Sequence, residues 1–323
     1  MARKYLVTGG TGFIGGALVK SLLASGATVR TLDNDSRGNL RKLGSHATEV
    51  ERVLGDIRDP EAVRKAIRGV DTVCHLAYIN GTEYFYSKPD LILDVAVKGM
   101  INVIDGCLAE GVGDLVLASS SEVYQTPPTI PTDERVPLVV PDVLNPRYSY
   151  GGGKIISELM AINYGRERFS RVVIFRPHNV YGPDMGWEHV IPQLTVRMKR
   201  ILDDNPEGRP PFPIQGNGHE TRAYIYIDDA AEGIRTIIEK GEHLQIYNVG
   251  RNEETSVAEL VREMSIHFGR EVELRPGQLQ PGGTLRRCPD IGKLQSLGFS
   301  PRISLAHGLA ETIPWYVANP QPS

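Results

Sequence analysis

The chain has 323 residues, 41% hydrophobic and 23% charged, a balance typical of globular proteins and not of disordered or fibrous ones. Its 36 Lys and Arg residues against 39 Asp and Glu residues give a net charge of -3, so we expect no nucleic-acid partner. No apolar run approaches the roughly 18 residues that a membrane-spanning helix needs, so we expect no membrane association either.

The three cysteines, Cys74, Cys107 and Cys288, lie far apart and form no CxxC spacing. This pattern argues against a metal site and a disulfide framework, and it is typical of a reducing compartment. The N-terminal apolar stretch is interrupted by glycines and does not resemble a signal peptide. We therefore expect a cytoplasmic protein with no bound metal.

The first half of the chain alternates short β-branched segments with helical patterns. Strands are predicted over residues 5–7, 28–32, 72–76 and 114–118, and helices over residues 16–25, 60–68 and 91–110. Unbroken apolar strands separated by helices indicate a parallel sheet covered on both faces. Because crossovers in such sheets are right-handed, we predict an α/β fold with a doubly wound Rossmann sheet over residues 1–175.

From residue 176 the sequence becomes rich in proline and glycine. We interpret residues 176–323 as a smaller, discontinuous C-terminal domain that binds the substrate. Within it we predict strands over residues 224–227 and 245–249, with a helix over residues 229–240 between them. Residues 223–250 are therefore expected to return to the Rossmann domain.

A glycine-rich segment, TGGTGFIG, directly follows the first predicted strand and opens a helix. Glycines permit a tight turn and let the backbone approach a pyrophosphate, whose charge lies at the helix N-terminus. We therefore predict a dinucleotide cofactor. Its expected contacts in this segment are Gly9, Gly12, Phe13, Ile14 and Gly15.

An acidic residue, Asp33, lies at the end of the second predicted strand. Its carboxylate can accept hydrogen bonds from the adenosine ribose and would repel a 2′-phosphate, so NAD is favoured over NADP. Arg37 is the opposing signal, because a cation nearby could accept that phosphate. The other expected cofactor contacts are Asp56 and Ile57 beside the adenine, and Leu76 and Ala77 beneath the nicotinamide ribose.

Tyr150 precedes Lys154 by four residues, so on a helix the two side chains share one face. A neighbouring ammonium lowers the pKa of a phenol, and Tyr150 could then take a proton from a substrate hydroxyl. Lys154 would also hold the nicotinamide ribose. Because three glycines separate the pair and each costs about 1 kcal/mol relative to alanine, we expect the helix to begin only near Lys154.

Three serines, Ser119 to Ser121, follow the strand predicted over residues 114–118. Ligands bind at the carboxyl ends of strands in open α/β sheets, so a hydroxyl here can hydrogen-bond the reacting oxygen. A serine run alone could equally form a simple turn. Its combination with the glycine loop and the Tyr150–Lys154 spacing favours a catalytic role.

These motifs together resemble those of the extended short-chain dehydrogenases/reductases, the group of nucleotide-sugar epimerases, dehydratases and decarboxylases. The likeness runs nearly end to end. Its further motifs are residues 75–77 (HLA), 176–183 (RPHNVYGP), 221–229 (TRAYIYIDD) and 297–301 (LGFSP). The resemblance implies an NAD-dependent enzyme that transiently oxidises C4 of a nucleotide-linked sugar.

By the same resemblance Ser120 is the hydroxyl partner, Tyr150 the base and Lys154 its helper. Glu122 is a further catalytic and substrate-binding candidate, because it follows the serine that should face C4. The resemblance also implies a homodimer, through helices around residues 91–110 and 151–169, whose apolar faces need cover.

The resemblance implies contacts to the substrate diphosphate from Asn179 and Arg222, with Arg287 or its neighbour Arg286 adding another. A guanidinium suits this role because it pairs phosphate oxygens in a forked geometry. The resemblance places Pro177 against the cofactor. Three loop histidines are left without an assigned role: His178, His189 and His219.

Several reactions remain open, and C4 epimerisation ranks first because it needs no further side chain. The group's 4,6-dehydratases carry an Asp-Glu pair after their serine or threonine, whereas this chain has Ser121-Glu122, so the acid for the leaving group is missing. Residues 121–124, 153–154, 221–223 and 287–291 are closest to UDP-glucuronate decarboxylases, although Gly151-Gly152 replaces their acidic residues. Keto-sugar reduction and a non-catalytic role as an NAD-binding sensor or scaffold also remain open.

Overall fold

The structure is a computed structural model that describes residues 2–278 and 284–319. The strands are β1 Lys4–Thr8, β2 Thr28–Asp33, β3 Glu51–Leu54, β4 Thr72–His75, β5 Asp114–Ala118, β6 Arg171–Pro177, β7 Val180–Tyr181, β8 Pro211–Pro213, β9 Thr221–Arg222, β10 Ile225–Tyr226, β11 Gln245–Val249, β12 Thr255–Ser256, β13 Glu273–Arg275 and β14 Arg286–Arg287.

The α-helices are α1 Phe13–Ala24, α2 Pro60–Ile67, α3 Thr82–Ser87, α4 Pro89–Glu110, α5 Ser149–Arg168, α6 Val190–Asp204, α7 Ile227–Lys240, α8 Val257–His267, α9 Gly292–Gln295 and α10 Leu305–Ala318. Short 3-10 helices span Leu40–Thr48, Ser121–Tyr124 and Pro146–Tyr148. Among the residues that the structure describes, no helix is both long and apolar enough to cross a membrane.

Seven strands form one sheet in the order β3-β2-β1-β4-β5-β6-β11, and every neighbouring pair is parallel. The strand order reverses between β1 and β4. In a doubly wound sheet such a reversal leaves a crevice at the carboxyl ends of the strands, where ligands bind. The predicted α/β Rossmann fold is confirmed.

Alternation along the strands divides the core between the two faces of the sheet. Leu115 and Leu117 of β5 pack with α2, α4 and α5, while Val116 and Ala118 pack with α1 and α7. Strands buried on both faces are expected to be apolar throughout, as β5 is. The three cysteines are free and buried.

A third core lies among α6, α8 and α10, in the C-terminal part of the chain. Three small sheets accompany it: β7 with β10, β9 with β12 and β14, and β8 with β13. The predicted helix over residues 229–240 and strand over residues 245–249 are present as α7 and β11, and β11 joins the main sheet beside β6.

Two local predictions were wrong. The strand predicted over residues 224–227 is only Ile225–Tyr226; it pairs with β7 outside the main sheet, and Ile227 already belongs to α7. The helix expected to begin near Lys154 begins at Ser149, so all three glycines are helical.

Close packing explains why α5 runs through its glycines. A Cβ atom on Gly153 would lie 2.3 Å from the Tyr78 hydroxyl oxygen and 2.8 Å from Ala96 Cβ on α4. A Cβ atom on Gly151 would lie 2.6 Å from the Gln125 side-chain nitrogen. Tertiary packing that needs the absence of a side chain therefore outweighs the low helix propensity of glycine.

Gly152 and Gly153 provide a matched test of this explanation. A Cβ atom on Gly152 would meet Val140 at an ordinary 3.6 Å. Gly152→Ala should therefore raise the free energy of unfolding by about 0.5–1 kcal/mol, through helix propensity. Gly153→Ala should lower it by about 1–3 kcal/mol through overpacking. Urea unfolding measures both, and equal effects of the two substitutions would contradict the explanation.

Candidate active site

A cleft of about 800 Å³ opens where the strand order reverses, at the carboxyl ends of β1, β4 and β5. All but one of the predicted site residues line it. They are Gly9, Gly12, Phe13, Ile14, Gly15, Asp33, Asp56, Ile57, Leu76, Ala77, Ser120, Glu122, Tyr150, Lys154, Pro177, Asn179 and Arg287. The exception is Arg222. Arg286, offered as the alternative to Arg287, also lies outside the cleft lining and pairs with Glu254.

The glycine loop between β1 and α1 is closed too tightly for side chains. Gly9 has a φ of 71°, and a Cβ atom there would lie 2.8 Å from the Ala77 nitrogen. A Cβ atom on Gly15 would lie 2.0 Å from the Gly9 carbonyl oxygen. Gly12 provides no side-chain cap for α1, so the first N–H groups of the helix face the cleft as an anion site.

Asp33 ends β2, and its carboxylate is oriented by backbone N–H groups. One oxygen accepts from Thr11 N–H at 3.0 Å, and the other accepts from Asp35 N–H at 3.0 Å. Each carboxylate oxygen keeps a further lone pair for a ribose hydroxyl. Arg37, the cation that could have accepted a 2′-phosphate, forms an ion pair with Glu188 at 3.0 Å instead of with Asp33.

Thr8 joins the ends of β1 and β4. Its hydroxyl oxygen accepts from the backbone N–H groups of Leu76 and Ala77, at 3.1 Å each, and lies 2.8 Å from His75 Nδ1. Burial lowers the pKa of His75 to about 3, with the Lys154 ammonium acting in the same direction. The imidazole is therefore neutral and acts as a hydrogen-bonding partner.

Asp56 and Ile57 follow β3 on the side of the cleft expected for the adenine. Hydrogen bonds from the Arg58 side chain lower the pKa of Asp56 to about 2, so the carboxylate is ionised. Ile57 is 4% exposed and packs against α4, where it contacts Gly99.

Tyr150 lies in the first turn of α5 and is 6% exposed. Its ring stacks on Phe85 with centroids 4.9 Å apart, and Tyr78 packs edge-on at 5.1 Å. Burial raises the pKa of the phenol to about 12, although hydrogen bonding with Ser120 acts in the opposite direction. The expectation that Lys154 lowers this pKa was wrong, because burial dominates.

The surroundings of Lys154 explain why its ammonium does not lower the pKa of Tyr150. Its ammonium donates to the Ala118 carbonyl oxygen at 2.7 Å and lies 3.8 Å from the centre of the Tyr78 ring. Burial lowers the pKa of Lys154 to about 7, partly opposed by the Glu158 carboxylate. The lysine is therefore only partly protonated at neutral pH. Its amino group contacts Ala118 and the Tyr78 ring more closely than it contacts Tyr150, whose ring centre is 6.0 Å away.

Ser120 lies directly beyond β5, and its hydroxyl oxygen accepts from Glu122 N–H at 3.2 Å, which caps the 3-10 helix. The neighbouring Ser119 hydroxyl is buried in the cleft wall and has no hydrogen-bond partner among the described residues. A buried hydroxyl without a partner is costly. Together with the glycine cradle, it fits a bound polar cofactor.

Glu122 forms an ion pair with Arg287, which comes from β14 on the other side of the cleft. Burial works against ionisation of Glu122, but the Arg287 charge and hydrogen bond lower its pKa below the ordinary value. Arg287 also contacts the Thr284 hydroxyl at 3.2 Å. A carboxylate and a guanidinium therefore face the cleft as a pair.

Two predicted substrate contacts are occupied by backbone carbonyls. Asn179, at a φ of 40°, donates from its amide to the Ala223 carbonyl at 3.1 Å. The Arg222 guanidinium donates to the Thr221 carbonyl at 2.7 Å and to the Thr284 carbonyl at 2.8 Å. Arg222 would have to release these carbonyls to reach a ligand in the cleft.

Of the three histidines left open, His189 lines the cleft. Burial lowers its pKa, and the Arg37 charge adds to the effect. His178 is fully buried and lies 3.1 Å from the Asn248 side-chain oxygen, whereas His219 is exposed.

Three aromatic residues that line the cleft were not predicted from the sequence. Tyr78, Tyr84 and Phe85 line the cleft and form a cluster with Tyr150. The position of Tyr78 in the chain could have indicated it, because Tyr78 follows β4 by three residues and so lies at the edge of the sheet where ligands bind. The ion pairs that residues 184–189 form across the cleft join distant parts of the chain, and no local pattern in the sequence indicates them.

Comparison with known proteins agrees with this geometry. Residues 5–250 match the model of the NAD dependent epimerase/dehydratase family. The chain is 31% identical to dTDP-4-dehydro-6-deoxy-D-allose reductase of Streptomyces bikiniensis, covering 97% of this chain and 96% of that protein. It is 30% identical to the putative UDP-glucose 4-epimerase of Methanocaldococcus jannaschii, over 97% of this chain and 98% of that protein.

A solved structure is similar throughout. The dTDP-glucose 4,6-dehydratase of Streptomyces venezuelae, as a double mutant with NAD bound, superposes with a TM-score of 0.86 at 30% identity, covering 98% of this chain and 97% of that one. The chain belongs to the NAD-dependent epimerase/dehydratase family and is an NAD-dependent enzyme. The predictions of family, enzyme and cofactor are confirmed.

The lowered pKa of Lys154 makes stability depend on pH. The pKa of a free lysine is about 10.4, whereas burial brings that of Lys154 to about 7. Between these values the unfolded chain binds more protons than the folded one, so the free energy of unfolding rises with pH. In NAD-free protein, Lys154→Met should remove part of this rise and stabilise the fold at pH 7 by at least about 2 kcal/mol.

Urea unfolding between pH 6 and pH 10 measures this dependence. The exposed Lys98 on α4 provides the control, since its side chain is 61% exposed and Lys98→Met should keep the wild-type slope. If Lys154→Met keeps the wild-type slope as well, the buried lysine is not the group responsible.

Proposed function

We propose that the protein is a nucleotide-sugar C4 epimerase, which oxidises the C4 hydroxyl transiently and reduces the ketone from the opposite face. The observation that carries the proposal is the missing acid: Ser121 lies where the 4,6-dehydratases carry the aspartate of their Asp-Glu pair. The neighbouring Glu122 is an ionised carboxylate paired with Arg287, so it does not replace that acid. A 4,6-dehydratase needs such an acid, whereas an epimerase does not.

The proton steps fall to Tyr150 and Ser120. Tyr150 takes the C4 hydroxyl proton when the sugar is oxidised and returns it when the ketone is reduced. Ser120, whose hydrogen bond lowers the pKa of Tyr150, passes the proton between phenol and sugar. NAD, when bound, would supply the acceptor and the donor for the C4 hydride. The glycine loop, Asp33 and Lys154 would hold it.

The relatives support a nucleotide-linked sugar as the substrate, because the three proteins above are named for dTDP- or UDP-linked sugars. On this proposal Arg287 and Asn179 contact the substrate, Glu122 fixes Arg287 against it, and Arg222 turns from its carbonyls to the diphosphate. A guanidinium pairs phosphate oxygens in two parallel hydrogen bonds, which suits that contact.

A uronate decarboxylase is the second candidate, and Arg287 favours it. Arg287 lines the cleft, and its buried Nε–H has no hydrogen-bond partner among the residues that the structure describes. A sugar carboxylate would supply an acceptor for such a donor. In a decarboxylase, a C4 ketone lets the C5 carboxylate leave as carbon dioxide.

A panel of nucleotide sugars tests the proposal. Purified protein with NAD is incubated with UDP-glucose, UDP-N-acetylglucosamine, UDP-glucuronate, GDP-mannose and dTDP-glucose, and the products are followed by mass spectrometry and NMR. We expect an isomer of unchanged mass, inverted at C4. Loss of carbon dioxide would support the decarboxylase, loss of water would support a dehydratase, and either result would refute epimerisation.

Two tyrosine variants identify the proton carrier in the same assay. Tyr150→Phe should lower kcat at least about 100-fold, because the proton acceptor is lost, while NAD binding is kept. Tyr78→Phe is the matched control: its ring packs 5.1 Å from Tyr150, and its hydroxyl donates to the Tyr150 carbonyl at 3.4 Å. Comparable losses of kcat in both variants would argue against Tyr150 as the base.

A homodimer through α4 and α5 is part of the proposal. The two helices pack side by side and expose large apolar side chains: Leu93 and Ile101 on α4, and Ile156, Leu159 and Tyr164 on α5. Such a patch on one face is typical of an interface between copies of one chain.

Leu159→Glu should convert the dimer to a monomer, because a carboxylate would be buried in the interface. Sedimentation velocity at micromolar concentration measures the mass. Ile266→Glu on α8 is the control, since Ile266 is 66% exposed and lies outside the patch. A wild-type protein that sediments as a monomer would contradict the dimer.

A further inference from the structure

The loop of residues 184–189, between β7 and α6, lies across the cleft from the segment that follows β2. Both segments line the same cleft as the glycine loop and Asp33. The loop therefore forms the wall that faces the nucleotide-binding edge of the sheet. The two walls come from distant parts of the chain and are joined by charged side chains.

Two part-buried ion pairs join the walls: Arg37 pairs with Glu188 at 3.0 Å, and Lys42 pairs with Asp184 at 2.9 Å. A longer pair adds to them, because the exposed Arg41 lies 3.9 Å from Asp184. The Arg37 guanidinium also lies 5.4 Å from the centre of the Tyr84 ring. The four side chains of the two part-buried pairs are between 12% and 28% exposed, so water screens these pairs less than it screens surface pairs.

The loop is held from behind by the C-terminal helix α10. Trp187 packs edge-on against Tyr316, with ring centroids 4.8 Å apart. The Tyr316 hydroxyl accepts from Met185 N–H at 2.9 Å and donates to the Gly186 carbonyl at 3.1 Å. The loop therefore presents its carboxylates from a fixed position.

The backbone conformation of the loop indicates that its contacts with the opposite wall are specific and not incidental. Asp184 has a φ of 58°, in the left-handed region that is unfavourable for most side chains, and Gly186 has a φ of 105°. Such conformations persist where surrounding contacts compensate their cost. For Asp184 the compensating contact is Lys42, whose ammonium also donates to the Asp184 carbonyl.

We propose that residues 184–189 form a clasp, whose ion pairs to Arg37 and Lys42 hold NAD in the cleft and limit its dissociation. Glu188 and Asp184 are then positioning residues for the cofactor walls and do not themselves react. The proposal concerns NAD alone and is independent of the sugar reaction that the cleft supports.

The dissociation rate of NADH measures the clasp. NADH is preloaded and displaced by excess NAD in a stopped-flow fluorimeter, in wild type, Glu188→Gln, Asp184→Asn and the double variant. Asparagine tolerates the left-handed conformation, so Asp184→Asn removes the charge without new strain. We expect the rate to rise about threefold to tenfold in each single variant, and by the product of the two in the double variant.

A carboxylate outside the cleft provides a control that separates the effect of the clasp from a general effect of charge. Glu49 follows the 3-10 helix Leu40–Thr48 and pairs with His46 at 2.8 Å, outside the cleft. Glu49→Gln should keep the wild-type rate. An unchanged rate in both Glu188→Gln and Asp184→Asn would overturn the proposal.

A double-mutant cycle tests whether Arg37 acts through Glu188. Arg37→Gln should raise the rate as much as Glu188→Gln does, and combining the two should raise it no further. Additive effects would mean that Arg37 binds the cofactor directly, which would overturn the clasp as its mode of action.

The protein carries its own reporter of the clasp. Its two tryptophans, Trp187 and Trp315, lie 6.2 Å apart, one in the loop and one on α10. Opening should shift their emission in the double variant, while far-ultraviolet circular dichroism reports that the fold is intact. If the variants fail to fold, the salt dependence of the wild-type protein still tests the clasp. Its NADH dissociation rate and tryptophan emission should change together as salt rises, and a salt-independent rate would refute the clasp.

Discussion

The buried Thr8 hydroxyl, at the point where the strand order reverses, connects the parts of the site. It accepts from Leu76 and Ala77 N–H and contacts His75, so the ends of β1 and β4 are held together. The Gly9 turn can then lie against Ala77 with no room for a side chain. The anion site at α1, the acid on β2 and the serines beyond β5 all take their positions from this edge.

Burial shifts the pKa values of Tyr150 and Lys154 in directions that their closeness alone would not predict. The pKa of Tyr150 is raised to about 12 and that of Lys154 is lowered to about 7, because each charged form is poorly solvated. Both groups therefore favour their neutral forms more than free side chains do.

A buried ion pair orients the helix that carries both groups. Arg176 of β6 and Glu158 of α5 are 2% and 4% exposed, and the guanidinium donates to both carboxylate oxygens, at 2.8 and 2.6 Å. The Tyr124 hydroxyl completes the network by accepting from Arg176 at 2.7 Å. Two parallel hydrogen bonds fix the rotation of α5 about its axis, which places Tyr150 and Lys154 toward the cleft.

The sequence by itself determined the sheet, the glycine loop, Asp33 and the Tyr150–Lys154 pair. These features are local: hydrophobic period, chain order and motif spacing specify them. Only the tertiary structure decided that α5 begins at Ser149, that Arg222 binds carbonyls, and that Arg37 pairs with Glu188. Each depends on atoms distant in the chain, such as Tyr78 against Gly153. Packing space, desolvation and long-range ion pairing are properties of the folded arrangement, and no local pattern encodes them.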